Sequence, residues 1–296
     1  MKQHRAMTAL RVDLLGIGAW AAGLEGWPAM RTALRAATRA AVRGDAAPSA
    51  TIDTRRASRP SPALLPAAER RRAPEGVAVA LEVAHEAVEM ASATHAIDVS
   101  SLASVFASAH GDLTIVDYLC ATLASDPTLL SPTRFHHSVH NAGAGYWSIA
   151  THDTGPASAI AAGDETFAAG LLEAVTQACA EDRPVLLVAF DTPAVGPLPM
   201  AAPNTALFGI AMLMTPSARS GTSALASLTI EICEGSMAMP LPQVSSLHSL
   251  AASSPSARAL ALAGAIACAR DEEVEYPLSG AGTSLSIRVL PRANDC

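Results

Sequence analysis

Ser131–Ala174 reads SPTRFHHSVHNAGAGYWSIATHDTGPASAIAAGDETFAAGLLEA, and its punctuation decides the fold. Asn141 opens an Ala- and Gly-rich helical run that Gly155-Pro156 must end, because a Gly-Pro pair marks a turn. Ala157–Ala162 then reads as a short strand, and a second helix begins near Phe167. Asp164-Glu165 sit at the corner between them. A carboxylate there suits a helix N-cap, and a first-turn Glu suits the helix dipole.

Outward from this corner, strands alternate with helices, which argues for a layered α/β fold. Val185–Phe190 (VLLVAF) is a continuous apolar run, as a strand covered on both faces should be. Phe167–Glu181 reads as the helix before it. Upstream, Arg11–Ile17 is a strand that ends in a loop at Gly16-Ile17-Gly18, and Trp27–Val42 a helix. Pro74–Ser92 is an amphipathic helix with Pro and Glu at its start, where both are favoured. Leu102–His110 reads as a strand and Thr114–Ala124 as a helix. Downstream, Leu207–Met214 and Ala224–Ile232 read as a strand pair, Ser253–Ala269 as one helix, and Thr283–Val289 as a strand. Gly44–Pro62 is loop, and residues 1–10 read as a flexible extension.

Composition narrows the function classes. With 20 Lys and Arg against 27 Asp and Glu, the net charge is −7, so no basic face is expected to neutralise a nucleic acid. Basic residues cluster only at Arg55, Arg56, Arg59, Arg70, Arg71 and Arg72, either a solvated loop or a landing patch for an acidic partner. Five cysteines without paired spacing fit a reduced cytoplasmic setting. No uninterrupted apolar run approaches the roughly 20 residues that span a bilayer.

The order of motifs resembles the β-ketoacyl synthases of the thiolase superfamily. In them an Asn-x-x-Ala-Gly helix passes through a Gly-Pro turn into a strand that delivers a nucleophilic Cys at an elbow. Asn141, Gly155-Pro156 and the helix at Phe167 keep that spacing, which puts the Cys position at Asp164. A carboxylate cannot replace a thiolate as acyl acceptor, because an acyl-Asp anhydride is labile and the attacking group weakly nucleophilic. The two family His contexts are also absent, since only His248 lies beyond His152. The resemblance therefore implies a thiolase-like layered fold with a complete N-terminal half (residues 11–232) and a reduced C-terminal half (residues 233–296).

More narrowly, LPAAERRRAP (65–74), VFASAHGDLTIVDYLCATLA (105–124) and RFHHSVHNAGAGYWSIAT (134–151) resemble the short ketosynthase-like proteins of aryl-polyene pigment pathways. The resemblance implies a non-catalytic chain-length factor pairing with a Cys-bearing ketosynthase, in a heterodimer or heterotetramer, and served by acyl carrier protein. It implies that Phe135, His136, His137, His140, Asn141, Trp147 and Phe167 line the interface or the partner's acyl tunnel. Arg55, Arg56 and Arg70–Arg72 would then receive the carrier protein. The strand at Ala157–Ala162 would pair with its counterpart across a two-fold axis.

Two other readings stay open: an acyl- or malonyl-ACP decarboxylase or thioesterase using Asp164 and Glu165, and a homodimeric carrier-protein scaffold. His136 and His140 stand four residues apart, as zinc ligands on a helix do, but no HExxH or Cys pair accompanies them. His110 and Asp112 form at most a weak base–orienter pair. Gly16-x-Gly18 lacks the third glycine of a dinucleotide fingerprint, and no Gly-x-Ser-x-Gly elbow is present. No metal or cofactor is called for.

Overall fold

A computed structural model describes residues 9–43, 59–218, 223–235, 245–278 and 283–291. In chain order the elements are β1 (Leu10–Ala21), β2 (Leu24–Glu25), α1 (Trp27–Arg43), α2 (Ala67–Arg72), α3 (Glu75–Ser92), β3 (Ala103–Ala107), α4 (Leu113–Ser125), α5 (Pro132–His137) and α6 (Ala142–Thr151). They continue as β4 (Ala157–Ile160), α7 (Thr166–Glu181), β5 (Val185–Asp191), β6 (Phe208–Pro216), β7 (Ala226–Glu234), α8 (Ser245–Ser253), α9 (Leu260–Ala267), β8 (Glu272–Leu278) and β9 (Thr283–Pro291).

The strands form one mixed sheet in the order β4-β3-β5-β6-β1-β7-β9-β8, with β2 paired to β1. The β3–β4 and β3–β5 pairs are parallel. The antiparallel pairs begin at β5–β6. β5 is buried at every residue, as its unbroken apolar run requires. On one face, α3 and α6 bury a cluster containing Val83, Phe106 and Trp147. On the other, α1, α7 and α9 bury a cluster containing Leu34, Leu171 and Leu262. Tyr276 of β8 meets Phe167 of α7 edge-on at 5.4 Å between ring centroids, so the sheet curls around α7.

Several boundaries differ from the sequence reading for identifiable reasons. β1 does not end at Gly16-Ile17-Gly18 but runs through it. These glycines are required because α3 lies against the strand. A Cβ at Gly16 would stand 2.0 Å from the Ala87 carbonyl oxygen, and one at Gly18 2.1 Å from that of Val83. β6 and β7 exist but do not pair with each other, since β1 lies between them. The helix expected over Ser253–Ala269 is broken at Pro255, and a 3-10 turn at Ser256–Ala259 separates α8 from α9. β8 was not anticipated, because Glu272, Glu273 and Glu275 leave only Val274 and Tyr276 facing inward. It forms one edge of the sheet and carries Pro277, whereas the opposite edge, β4, is built of Ala157, Ser158, Ala159 and Ile160. Most of the 44–62 loop, residues 1–8 and residues 279–282 lie outside the described residues.

Candidate functional site

β4 ends at a sharp elbow. Gly163 has φ +54°, a left-handed value that favours glycine, and it turns the chain into α7. The Thr166 hydroxyl secures the turn, accepting from the Ala162 amide at 3.0 Å and donating to the Gly163 carbonyl at 2.6 Å. Thr166 braces the turn rather than capping the helix, and the reading of Asp164 as the N-cap is corrected. Glu165 holds the N-cap position of α7, but its side chain makes no capping bond.

Asp164 projects outward and meets a cation instead. Its Oδ2 lies 3.0 Å from Nη2 of Arg258, which also donates through Nη1 to the Asp164 carbonyl at 2.5 Å. Asp164 is 71% exposed and Arg258 only 13%, so the cation is built into the wall and the carboxylate closes over it. The Arg258 backbone is fixed in turn, because Tyr276 donates its hydroxyl to the Arg258 carbonyl at 3.2 Å and accepts from the Leu262 amide at 3.1 Å. Complete burial holds the Tyr276 phenol far above its ordinary pKa, so it stays a neutral donor. The elbow thus presents a carboxylate paired with Arg258.

Beneath the elbow lies a fully buried carboxylate that the sequence reading missed. Asp191 Oδ2 accepts from the Ser256 amide at 2.7 Å and the Ser254 hydroxyl at 2.8 Å, and Oδ1 from the Ala109 amide at 3.2 Å. Burial pushes its pKa up, and these donors pull it partly back. An Asp closing the apolar run VLLVAFD was the available signal. This group fastens the segment that carries Arg258 to the end of β3.

The Ser131–Thr151 segment separates the expected tunnel and interface residues. Phe135 is 62% exposed. His136 is exposed on α5, and Asn141 is exposed at the N-cap position of α6 without a capping bond. The half-buried His137 lies 2.8 Å from the Tyr146 hydroxyl, and burial, then His136, lowers its pKa. α5 ends at His137, so His136 and His140 do not share a helix face. His140 Nε2 reaches the Ser108 carbonyl at 2.8 Å, which makes it a donor there. Trp147 and Phe167 are not surface residues: Trp147 bonds buried Asp153 at 3.2 Å, and Phe167 packs in the opposite core. A cavity of about 390 Å³ opens beside α5 and α6, lined by Leu65, Val139, Tyr146 and Ile149 among others.

Of the basic patch, Arg71 and Arg72 are exposed and Arg70 is half-buried on α2, while Arg55 and Arg56 lie outside the described residues. The His110–Asp112 pairing is replaced. Asp112 accepts from the amides of Thr114, Ile115 and Gly76, capping α4 and tying it to the start of α3. Among the described residues, no group of three or more His, Cys, Asp or Glu could hold a metal ion, and no helix is long and apolar enough to cross a membrane.

The sequence profile described as "Beta-ketoacyl synthase, N-terminal domain" matches residues 45–269. No curated protein matches the chain. Among solved structures it is similar to the ketosynthase ApeO in complex with its chain length factor ApeC from Xenorhabdus doucetiae, at 23% identity and TM-score 0.67, over 94% of this chain and 99% of that one. It is also similar to a β-ketoacyl synthase from Burkholderia phymatum STM815, at 12% identity and TM-score 0.64, over 95% and 99%. The ishigamide ketosynthase/chain length factor gives 14% and 0.64, over 94% and 99%. These likenesses establish the thiolase-like layered fold.

Proposed function

This chain belongs to the β-ketoacyl synthase N-terminal domain family, and we propose that it is a non-catalytic chain-length-factor subunit of a β-ketoacyl-ACP synthase. The observation that carries this reading is the elbow, where Asp164 is locked to Arg258 at 3.0 Å in place of a nucleophile. An acyl group transferred from a carrier protein would find no thiolate there, so condensation falls to a Cys-bearing partner. Two of the similar structures pair a ketosynthase with a chain length factor, which supports the same assignment.

In this reading residues 11–232 form the ketosynthase-like domain and 233–296 the truncated remainder of the same fold. β4, an edge strand, meets the partner, and the exposed Phe135 and His136 belong to the same interface. Phe135, exposed and bulky, limits the partner's tunnel, and the product is a fatty-acid or aryl-polyene-type chain. Arg70, Arg71 and Arg72 contribute to carrier-protein docking. An independent decarboxylase or thioesterase is disfavoured, because the Asp164 carboxylate is already engaged by Arg258.

The test is the native mass of the tagged protein isolated from its own host, with every co-purifying chain identified. The expected result is a complex with a ketosynthase bearing the elbow Cys. A lone homodimer that turns over malonyl-ACP would refute the proposal.

A further inference from the structure

α4 is an apolar helix that the fold leaves largely uncovered. Its sequence, LTIVDYLCATLAS, holds one charged residue, Asp117, yet only Leu113 and Ile115, at its root, are buried. A helix apolar on all sides normally lies inside a protein. Among the helices and strands α4 packs mainly against α5 and the 3-10 turn Pro127–Leu129, so these pieces form an arm. The arm is well braced. Asp112 caps α4, Asp126 accepts from the Thr128 amide at 2.9 Å, and the Arg134 guanidinium lies 4.0 Å over the Tyr118 ring. Cys120, Leu123 and Ala124 share one face of α4 by helical spacing, and all three are exposed. Leu123 is 52% exposed and Leu129, at the turn, 68%. Among the described residues, five of the eight exposed large hydrophobic side chains fall between Leu123 and Ile149, so the exposure is concentrated, as at an interaction surface.

We infer that the α4–α5 arm is a docking surface for the catalytic ketosynthase subunit, with Leu123 and Leu129 as anchors buried against it. The inference rests on the chain-length-factor reading and deepens it, since that reading gives α4 no part. Charge decides between the two partners in that reading. An acidic carrier protein needs cations, but along the arm Asp117 and Asp126 outnumber Arg134. A nearly uncharged apolar surface suits a lasting contact between subunits instead. Position agrees with this. The arm lies in the connection from β3 to β4, so it leaves the sheet beside the edge strand assigned to the same partner. Because its caps and the Arg134–Tyr118 contact form it in the free chain, little ordering is needed on docking.

The test isolates three tagged forms from the native host: wild type, the double variant Leu123→Glu/Leu129→Glu, and Met200→Glu as a control. Met200 is 94% exposed and lies outside the arm. Wild type and Met200→Glu should carry a Cys-bearing ketosynthase, and the double variant at least about tenfold less of it. All three substitutions replace exposed side chains, and the melting temperature of each variant checks its fold. A second readout needs no substitution. Iodoacetamide should label Cys120, on the face of Leu123, in the isolated chain and at least about tenfold more slowly in the complex. Retention of the ketosynthase by the double variant, its loss from Met200→Glu as well, or equal labelling of Cys120 in both states would each overturn the arm while leaving the chain-length-factor reading intact. Wild type that carries no ketosynthase would overturn that reading, and this inference with it.

Discussion

Asp191→Asn tests the buried network that holds the elbow's cation in place. Asn keeps the shape of Asp but offers one accepting oxygen where Asp191 uses two, against the Ala109 amide on one side and the Ser254 hydroxyl and Ser256 amide on the other. The Ser254 hydroxyl can turn to accept a bond, but a backbone amide cannot. One buried N–H is left without a partner, at a cost of about 1–3 kcal/mol. With a urea slope of about 2–3 kcal/mol/M, the unfolding midpoint should fall by about 0.5–1 M. The pH dependence adds a second constraint. Burial raises the Asp191 pKa, so the fold favours the protonated form over the unfolded chain. The stability gained from that proton is complete below the unfolded value of about 3.9 and is lost as pH climbs through the raised folded value. Asn has no such proton. Its penalty relative to wild type should therefore shrink from acid to neutral pH, with all other groups cancelling in the difference. Urea unfolding of both proteins at several pH values measures this directly. A penalty that grew with pH would show that the fold lowers the Asp191 pKa, and the reasoning would be wrong.

Gly18→Ala should cost at least about 1–3 kcal/mol by overpacking, since its Cβ would stand 2.1 Å from the Val83 carbonyl oxygen; an unchanged melting temperature would contradict the close approach of α3. Trp147→Phe removes the donor to buried Asp153 and should cost about 1–3 kcal/mol. Its co-purification with a partner should be unaffected, whereas Phe135→Ala should change product length in the reconstituted pair. Asp164→Cys would place a thiol beside the Arg258 guanidinium, which lowers a thiol pKa. Its alkylation should outpace that of exposed Cys120 and slow when Arg258→Ala is added.

The parts of the fold legible from sequence are those decided by local chemistry. The unbroken run at Val185–Phe190 identified a doubly covered strand, and the amphipathic pattern of Pro74–Ser92 a helix. The elbow was visible because Gly155-Pro156 and the helix at Phe167 keep the spacing of the ketosynthases that the sequence resembles. What stayed hidden depends on contacts between distant residues. Arg258 reaches Asp164 across 94 positions, and nothing near either residue signals the other. Asp191 gathers donors from two loops, one 82 and one 65 residues away. Gly16 and Gly18 look like a loop until α3 lies against them. Trp147 has the composition of an interface residue, but the facing of α6 turns it inward toward Asp153. β8 resisted because an edge strand needs few inward apolar residues, and its charges resemble those of a loop.

The two margins of the sheet are opposites. β4 ends it with uncharged side chains, while β8 ends it with Glu272, Glu273, Glu275 and Pro277, features that discourage strand addition. A sheet that can be extended at one margin only can be extended once. When two such margins meet across a two-fold axis each is consumed by the other, and none is left to recruit a third chain. Assembly through this sheet therefore stops at a pair, and a fibre cannot propagate from it.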